Sequence, residues 1–384
     1  MALVLLCLPL LPTGATLLLL FAGVLVLTWF GFRQAHTSWA LPKAVFPERV
    51  LLLFGLWLLV PFIASVSPKD SAVSAAIWVA CACVYLAGRQ AAMASEDQLR
   101  EALWAVPLAA IPVSLLAIYQ FVAKVATPTS WIDAQMAELI PTRAYATFDN
   151  PTMLADYLAL TIPLTLALLW GSGGVRKLWG GASLALQLAA LTFTFSRGGW
   201  LATALELTAM VVLLLPRSLG PLLALGAAGF LLAPRSVTVR ALSIFTGGDS
   251  STRYRLTIWK AGWRLIRDFW PTGVGLGAPA FARAYIGYEI AGTPAMHTHN
   301  LFMQLLAETG LAGLALFCWY CGSLLSRVLR HKGPVSLALA LGLGGQLVHG
   351  LFDHIWYTPR NMLFFWCVAG LLTGRCVRQE GERL

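Results

Sequence analysis

The chain has 384 residues, of which 58% are hydrophobic and only 11% charged, and its mean hydropathy is +0.74. Soluble globular domains carry about 25% charged residues, so this balance excludes one and predicts an all-α polytopic membrane protein. The formal net charge is +10, and half of that excess lies between residues 234 and 300, where eight Lys and Arg stand against three acidic residues.

A helix needs roughly 17 to 25 apolar residues to cross about 30 Å of hydrocarbon. Runs of that length predict spans near 14–31, 48–65, 71–90, 100–122, 152–170, 179–195, 198–215, 219–233, 301–325, 334–352 and 360–375. Residues 2–12 are apolar but short, and Pro9, Pro12 and Gly14 punctuate them, so they read as a first short helix in a tight hairpin. That gives about twelve membrane helices in one membrane domain, residues 1–384. A cleaved signal peptide is the rival reading of the first segment, against which stands the lack of a basic stretch before the apolar run.

Two outward insertions interrupt the spans. The first, residues 124–151, holds Arg143 and Asp149 at the membrane edge and closes on Asn150-Pro151, an N-cap followed by proline at the first helical position. Next come charges within spans, where each costs several kcal/mol and is a functional hypothesis by default. Asp156 lies about two turns into its span and Glu206 deeper in another, either able to pair with an arginine. Between them, Phe195-Ser196-Arg197-Gly198-Gly199-Trp200 forms a hairpin of almost no length. Its guanidinium has no loop to carry it away, and Arg matches phosphate oxygens bidentately, so an anionic head group is the expected partner.

The second insertion, residues 234–300, is basic and aromatic. Leu256, Trp259, Trp263, Ile266 and Trp270 recur at spacings of three and four, predicting one apolar face on a helix that lies on the bilayer or packs against the bundle. Gly273-Val274-Gly275-Leu276-Gly277 follows without the strand and helix that a phosphate-cradling loop requires, and reads as a tight turn. The insertion ends in His297-Thr298-His299-Asn300. Two imidazoles with no clear third ligand make a weak metal site, whereas His299 suits a general base near neutral pH. Glu308, Asp353 and His354 fall at the same outer level, so one polar cavity is expected there, with Arg143 and Arg197 in it.

Orientation follows from the basic residues. Fourteen Lys and Arg, from Arg33 and Lys43 through Arg89, Arg100 and Arg176 to Arg375, Arg378 and Arg383, fall in alternate connections. The other short connections hold Lys69, Lys124, Arg143, Arg197 and Arg360. Both termini are therefore expected in the cytoplasm, with the long loop outside, because long loops translocate largely regardless of charge. The seven cysteines lie in or beside apolar spans; Cys318 and Cys321 lack the second ligand pair of a zinc site and read as packing residues.

In this order, the hairpin around Arg197, the Arg255-x-x-x-Trp259 helix leading to the glycine turn, and His299-Asn300 followed by Glu308-x-Gly310-x-x-Gly313 resemble the O-antigen ligase and O-antigen polymerase superfamily. The resemblance covers roughly residues 140–370. It implies a GT-C type glycosyltransferase in the plasma (inner) membrane of a bacterium. Such an enzyme moves a glycan from a polyprenyl-pyrophosphate donor to a glycan, lipid or protein acceptor at the outer face, with inversion. No metal or other cofactor and no nucleic acid is implied; the lipid bilayer is the other partner. Arg197 and Arg255 would hold the pyrophosphate, with Arg253 close enough to replace Arg255. His299 would activate the acceptor hydroxyl, with His297 the alternative, and Arg143, Asn300, Glu308, Asp156 and Asp353 would support them. Ligase is preferred to polymerase; a transporter of a small anion or a lipid-linked glycan is the reading from another class.

Overall fold

The structure, a computed structural model, describes residues 1–12, 14, 46–93, 95–128, 131, 137–148, 150–246, 250–328 and 333–381. The expected span 14–31 and the basic residues Arg33, Lys43, Arg330, Lys332 and Arg383 lie outside these, as do Asp149 and Asp249. Every regular element among the described residues is helical. In chain order they are α1 (Ala2–Leu10), α2 (Phe46–Trp57), α3 (Leu59–Ile63), α4 (Pro68–Ala92), α5 (Glu96–Leu103), α6 (Ala105–Val122), α7 (Pro151–Leu169) and α8 (Gly174–Phe193). There follow α9 (Arg197–Leu214), α10 (Leu219–Leu232), α11 (Arg235–Thr246), α12 (Ser250–Phe269), α13 (Ala278–Tyr285), α14 (Leu301–Val328), α15 (Pro334–His349) and α16 (Pro359–Gly381).

Six helices among the described residues are long and apolar enough to cross a membrane: Phe46–Ile63, Pro68–Ala92, Glu96–Val122, Pro151–Leu169, Arg197–Leu214 and Leu301–Val328. A seventh is reached if Pro216–Leu232 and Arg235–Ser243, bent by 115°, count as one. The expected number was about twelve. The expected spans 179–195, 334–352 and 360–375 are helices too, but α15 is short at 16 residues, and basic residues start α8 (Arg176, Lys177) and dot α16 (Arg360, Arg375, Arg378).

Lipid tails are as apolar as leucine, so helices in a bilayer associate through close packing of small residues. The α4–α16 contact is built that way. Gly370 and Gly374, four apart on α16, lie so close to the α4 backbone that a Cβ at either would meet the carbonyl oxygen of Tyr85 or Arg89 at 2.1 and 2.2 Å. α7 is the most enclosed span, packed by α8, α9 and α15. Asn150 caps it as expected, its side-chain oxygen accepting the Thr152 N–H at 2.8 Å.

The second insertion forms α11, α12 and α13. α12 buries Ile258, Ala261, Gly262, Leu265 and Ile266 against the helices around it, α14 among them, while Leu256, Trp263 and Trp270 stay exposed. The packed face is thus rotated from the aromatic stripe, of which it takes Ile266 and, in part, Trp259. The glycine turn returns the chain to the bundle: Val274 N–H donates to Ala307 O at 2.8 Å and Gly277 N–H to Glu308 Oε2 at 2.9 Å. α14 breaks at Gly310, whose φ of 69° frees Leu311 N–H to reach Trp270 O.

Candidate functional site

Arg197 is placed by its neighbours in sequence. Phe195 takes a left-handed φ of 51°, Ser196 caps α9 through its hydroxyl, and Arg197 becomes the first residue of the helix. Both following glycines are sterically required. A Cβ on Gly198 would lie 2.7 Å from the His349 ring, and one on Gly199 2.7 Å from Ala155 Cβ. The first insertion adds Arg143, whose Nε donates to Thr194 O at 2.8 Å and whose Nη1 donates to Trp131 O at 2.7 Å. From α11, Arg240 Nε donates to Phe195 O at 3.4 Å, and Ser243 receives Arg197 Nη1 on its carbonyl and hydroxyl, both at 3.2 Å. From α12, Arg255 Nη2 lies 3.4 Å from Asp353 Oδ2.

These four guanidiniums line one chamber of about 50 Å³ together with Ser196, His349 and Asp353. Like charges so close disfavour one another. Burial, then Arg240 and Arg255, push the Arg143 guanidinium down to about 9, still charged at neutral pH. A second cavity of about 280 Å³ shares Arg197, Gly198, Arg255 and Phe352 with the chamber and is otherwise walled by residues such as Leu201, Leu256 and Trp259. The pair offers preorganised positive charge beside an apolar groove, which suits an anion carrying a hydrocarbon chain.

At the edge of the chamber, Asp353 connects the arginines to a histidine. Its Oδ1 lies 2.9 Å from His299 Nδ1 and accepts the His354 N–H at 2.8 Å. Burial pulls the Asp353 carboxyl upward, but the charge and hydrogen bond of His299, with Arg255 and His297 beside them, hold it well below the usual range. His299 itself sits at φ 52°, a strained backbone for a residue with a Cβ. Its neighbours hold it there. Thr298 N–H donates to Gln304 Oε1 at 2.8 Å, Thr298 O accepts from Trp259 Nε1 at 2.8 Å, and Asn300 Oδ1 caps α14 by accepting the Met303 N–H at 2.9 Å.

His297, His299 and Asp353 have ligand atoms all within 4.8 Å of one another, so Asp353 supplies the third ligand that the sequence did not offer. His297 Nδ1 accepts the His299 N–H at 3.2 Å, and burial holds its ring well below the ordinary histidine range, hence neutral, with its one proton on Nε2. In this arrangement the His297 Nδ1 lone pair is engaged by the His299 N–H.

Beneath the chamber, Asp156 on α7 is fully buried and accepts from Gln346 Nε2 at 2.6 Å and Asn361 Nδ2 at 3.0 Å. Its Oδ1 lies 3.3 Å from His349 Nδ1, and His349 Nε2 lies 3.5 Å from Ser196 Oγ. Asp156 therefore pairs with a histidine rather than an arginine.

Arg143, Arg197, Arg255 and Asp353 are thus brought together, with His299 held on Asp353. Arg253 is exposed and lines neither cavity. Glu308 holds the glycine turn and Gln304, and Asn300 is a helix cap, so both build the frame. Glu206 is buried against Gly345, and neither carboxylate oxygen has a hydrogen-bond partner among the described residues. Sequence reading missed Arg240 and His349. An ionisable residue in the 334–352 run was a signal available for His349; Arg240 carried none that set it apart from seven other basic residues in its loop.

Fold and site define a class: a helical membrane protein with an arginine chamber and a His–Asp pair at one end of its bundle. Within that class, residues 182–318 match the family model described as O-antigen ligase, so this stretch carries a domain of the O-antigen ligase superfamily. The family is one of membrane enzymes of glycosyltransferase type. The matched stretch includes Arg197, Arg240, Arg255, His299 and Glu308 and stops before His349 and Asp353. A comparison with curated proteins returned no match.

Proposed function

We propose that the protein is an O-antigen ligase-like glycosyltransferase of a bacterial plasma membrane. It transfers a glycan from a polyprenyl-pyrophosphate donor to an acceptor hydroxyl at the outer face, with both termini in the cytoplasm. The observation that carries this reading is the meeting of the four-arginine chamber with an apolar groove on one side and the Asp353–His299 pair on the other. In this reading the pyrophosphate lies among Arg143, Arg197, Arg240 and Arg255, and the first isoprene units run along Leu201, Leu256 and Trp259.

Asp353 accepts the Nδ1 proton of His299, which leaves the Nε2 lone pair as the base. The acceptor oxygen attacks the anomeric carbon and its proton passes to Nε2. The anomeric C–O bond to pyrophosphate breaks, and the polyprenyl pyrophosphate departs with the electron pair, its charge held by the arginines. A single displacement inverts the anomeric configuration. The arginines supply the charge stabilisation that a metal would otherwise supply, so the transfer is expected to proceed in chelator. A polymerase would use the same donor chamber and differ in its acceptor.

The test is purified protein with a polyprenyl-pyrophosphate glycan and candidate acceptors in EDTA. The reading expects polyprenyl pyrophosphate release that is lost in folded Arg197→Ala and His299→Ala variants. Glycan flux across sealed vesicles that survives both substitutions would instead identify a transporter.

A further inference from the structure

The donor reading leaves one buried group without a task. His349 lines the arginine chamber, yet it belongs to α15 and takes no part in the Asp353–His299 pair. Its Nδ1 is turned to Asp156, and its Nε2 is turned to the hydroxyl of Ser196, another chamber residue. The position is tightly specified. Gly198 has no room for a Cβ because the ring is there, and Asp156 is itself fixed by Gln346 and Asn361. A packing histidine would not need a carboxylate held by two amides, whereas an imidazolium buried beside four guanidiniums does need a counter-charge.

We propose that His349 is a further anion-binding residue of the chamber, donating from Nε2 as the imidazolium to a phosphate oxygen while Asp156 retains the Nδ1 proton. The inference rests on the donor reading and adds a residue and a proton to it. Nε2 faces the Ser196 hydroxyl at 3.5 Å; when the anion binds, the ring takes one proton from solvent and Nε2 donates to the anion instead. The groups facing His349 are Asp156 and Gln346 behind it, Glu206 on α9 near Asp156, and Arg143, Arg197, Arg240, Arg255 and Asp353 across the chamber. The arginines are charged throughout the neutral range, and Asp353 is held ionised by its partners. Among these groups His349 is the one to which the anion-linked proton is assigned here, on its position between Asp156 and the chamber.

Sulfate, a tetrahedral anion like one phosphate group of the donor, keeps its two charges across the neutral range. The experiment is calorimetric sulfate binding to the full chain in detergent, from about pH 5.5 to about pH 8.5. Wild-type affinity should fall with rising pH, approaching about tenfold per unit, the slope of one linked proton. His349→Gln keeps a neutral donor and should bind sulfate about ten- to a hundredfold more weakly at the acid end, with a flat profile. Asp156→Asn keeps the imidazole without its counter-charge and should move the fall to lower pH. In His299→Gln the slope should persist, because His299 meets the chamber only through Asp353.

A flat wild-type profile, or a slope that survives in His349→Gln, overturns the role of His349 and leaves the donor reading standing if Arg197→Ala abolishes sulfate binding. Absence of sulfate binding in the wild type overturns the anion chamber, and the donor reading falls with it. Thermal melting of each variant checks that it folds; Asp156→Asn carries the test if His349→Gln does not.

Discussion

Arg255 and Arg253 are two residues apart on one helix, and the fold assigns them different surroundings. Arg255 reaches Asp353 and both cavities, whereas Arg253 is exposed and lines neither. Removing a preorganised cation from a developing pyrophosphate costs about 3–4 kcal/mol, so Arg255→Ala should slow polyprenyl pyrophosphate release about a hundredfold or more. Arg253→Ala should change it by no more than about twofold, as an exposed side chain away from the site does. Equal losses in the two initial rates would remove the chamber's claim on Arg255. Sequence spacing alone left these two arginines equivalent, because a helix turns by about 100° per residue and nothing in a single chain fixes which direction faces the site. Asp353 and His299 were legible as polar residues at one level; their hydrogen bond depends on a φ of 52° that no pattern announces.

A second residue-scale consequence concerns acid. Burial pushes His354 down to about 3, so the native state takes up a proton less readily than the unfolded chain, whose histidine titrates near 6.5. The sign follows from linkage: the stabilisation is complete above about pH 6.5 and is lost as pH falls toward about 3, at up to about 1.4 kcal/mol per unit. The apparent Tm in detergent should therefore drop between about pH 7 and about pH 5, and His354→Asn should make that drop shallower without removing it, because His297, also held low by burial, acts in the same direction. An equally steep fall in the variant would assign the acid sensitivity to another group.

At the scale of elements, two helix contacts turn on single glycines. Gly198→Ala would press a methyl into the His349 ring at 2.7 Å, where Asp156 prevents the ring from retreating. Overpacking of this kind costs about 1–3 kcal/mol. A lowered Tm together with weaker donor binding is expected; full activity would show that the first turn of α9 adjusts freely. Gly374→Leu should destabilise more, because the obstacle is the α4 backbone at Arg89, which no rotamer change relieves. Its measurement is the apparent Tm, which should fall below that of Gly198→Ala. The run lengths made most of the long helices legible, as did the Asn150 cap. The packed face of α12 was not, since its apolar stripe suited a helix on the bilayer and a helix packed on the bundle equally, and Trp263 and Trp270 point outward.

For the whole molecule, the ion pairs separate the two ends of the bundle. Arg89 at the end of α4 pairs with Glu48 at the start of α2, Arg375 and Arg378 at the end of α16 pair with Glu96 at the start of α5, and Arg176 at the start of α8 pairs with Glu101. Arg100 reaches the carbonyls of Leu168 and Trp170, where α7 ends. All of these belong to the connections that the sequence marked as basic. The chamber is built from the opposite termini: the start of α7, the end of α8, the start of α9 and the end of α15. The alternation in the sequence thus corresponds to one basic end and one end with the site, and retention of short basic connections in the cytoplasm would put the site outside, the orientation proposed above. Cysteines introduced at two exposed positions test the assignment, Arg253→Cys at the site end and Glu101→Cys at the basic end. In intact spheroplasts a membrane-impermeant maleimide should label the first and spare the second until the cells are lysed, with the parent chain as background for its own cysteines. The reverse pattern would put the arginine chamber in the cytoplasm, where a donor displayed on the outer leaflet could not reach it.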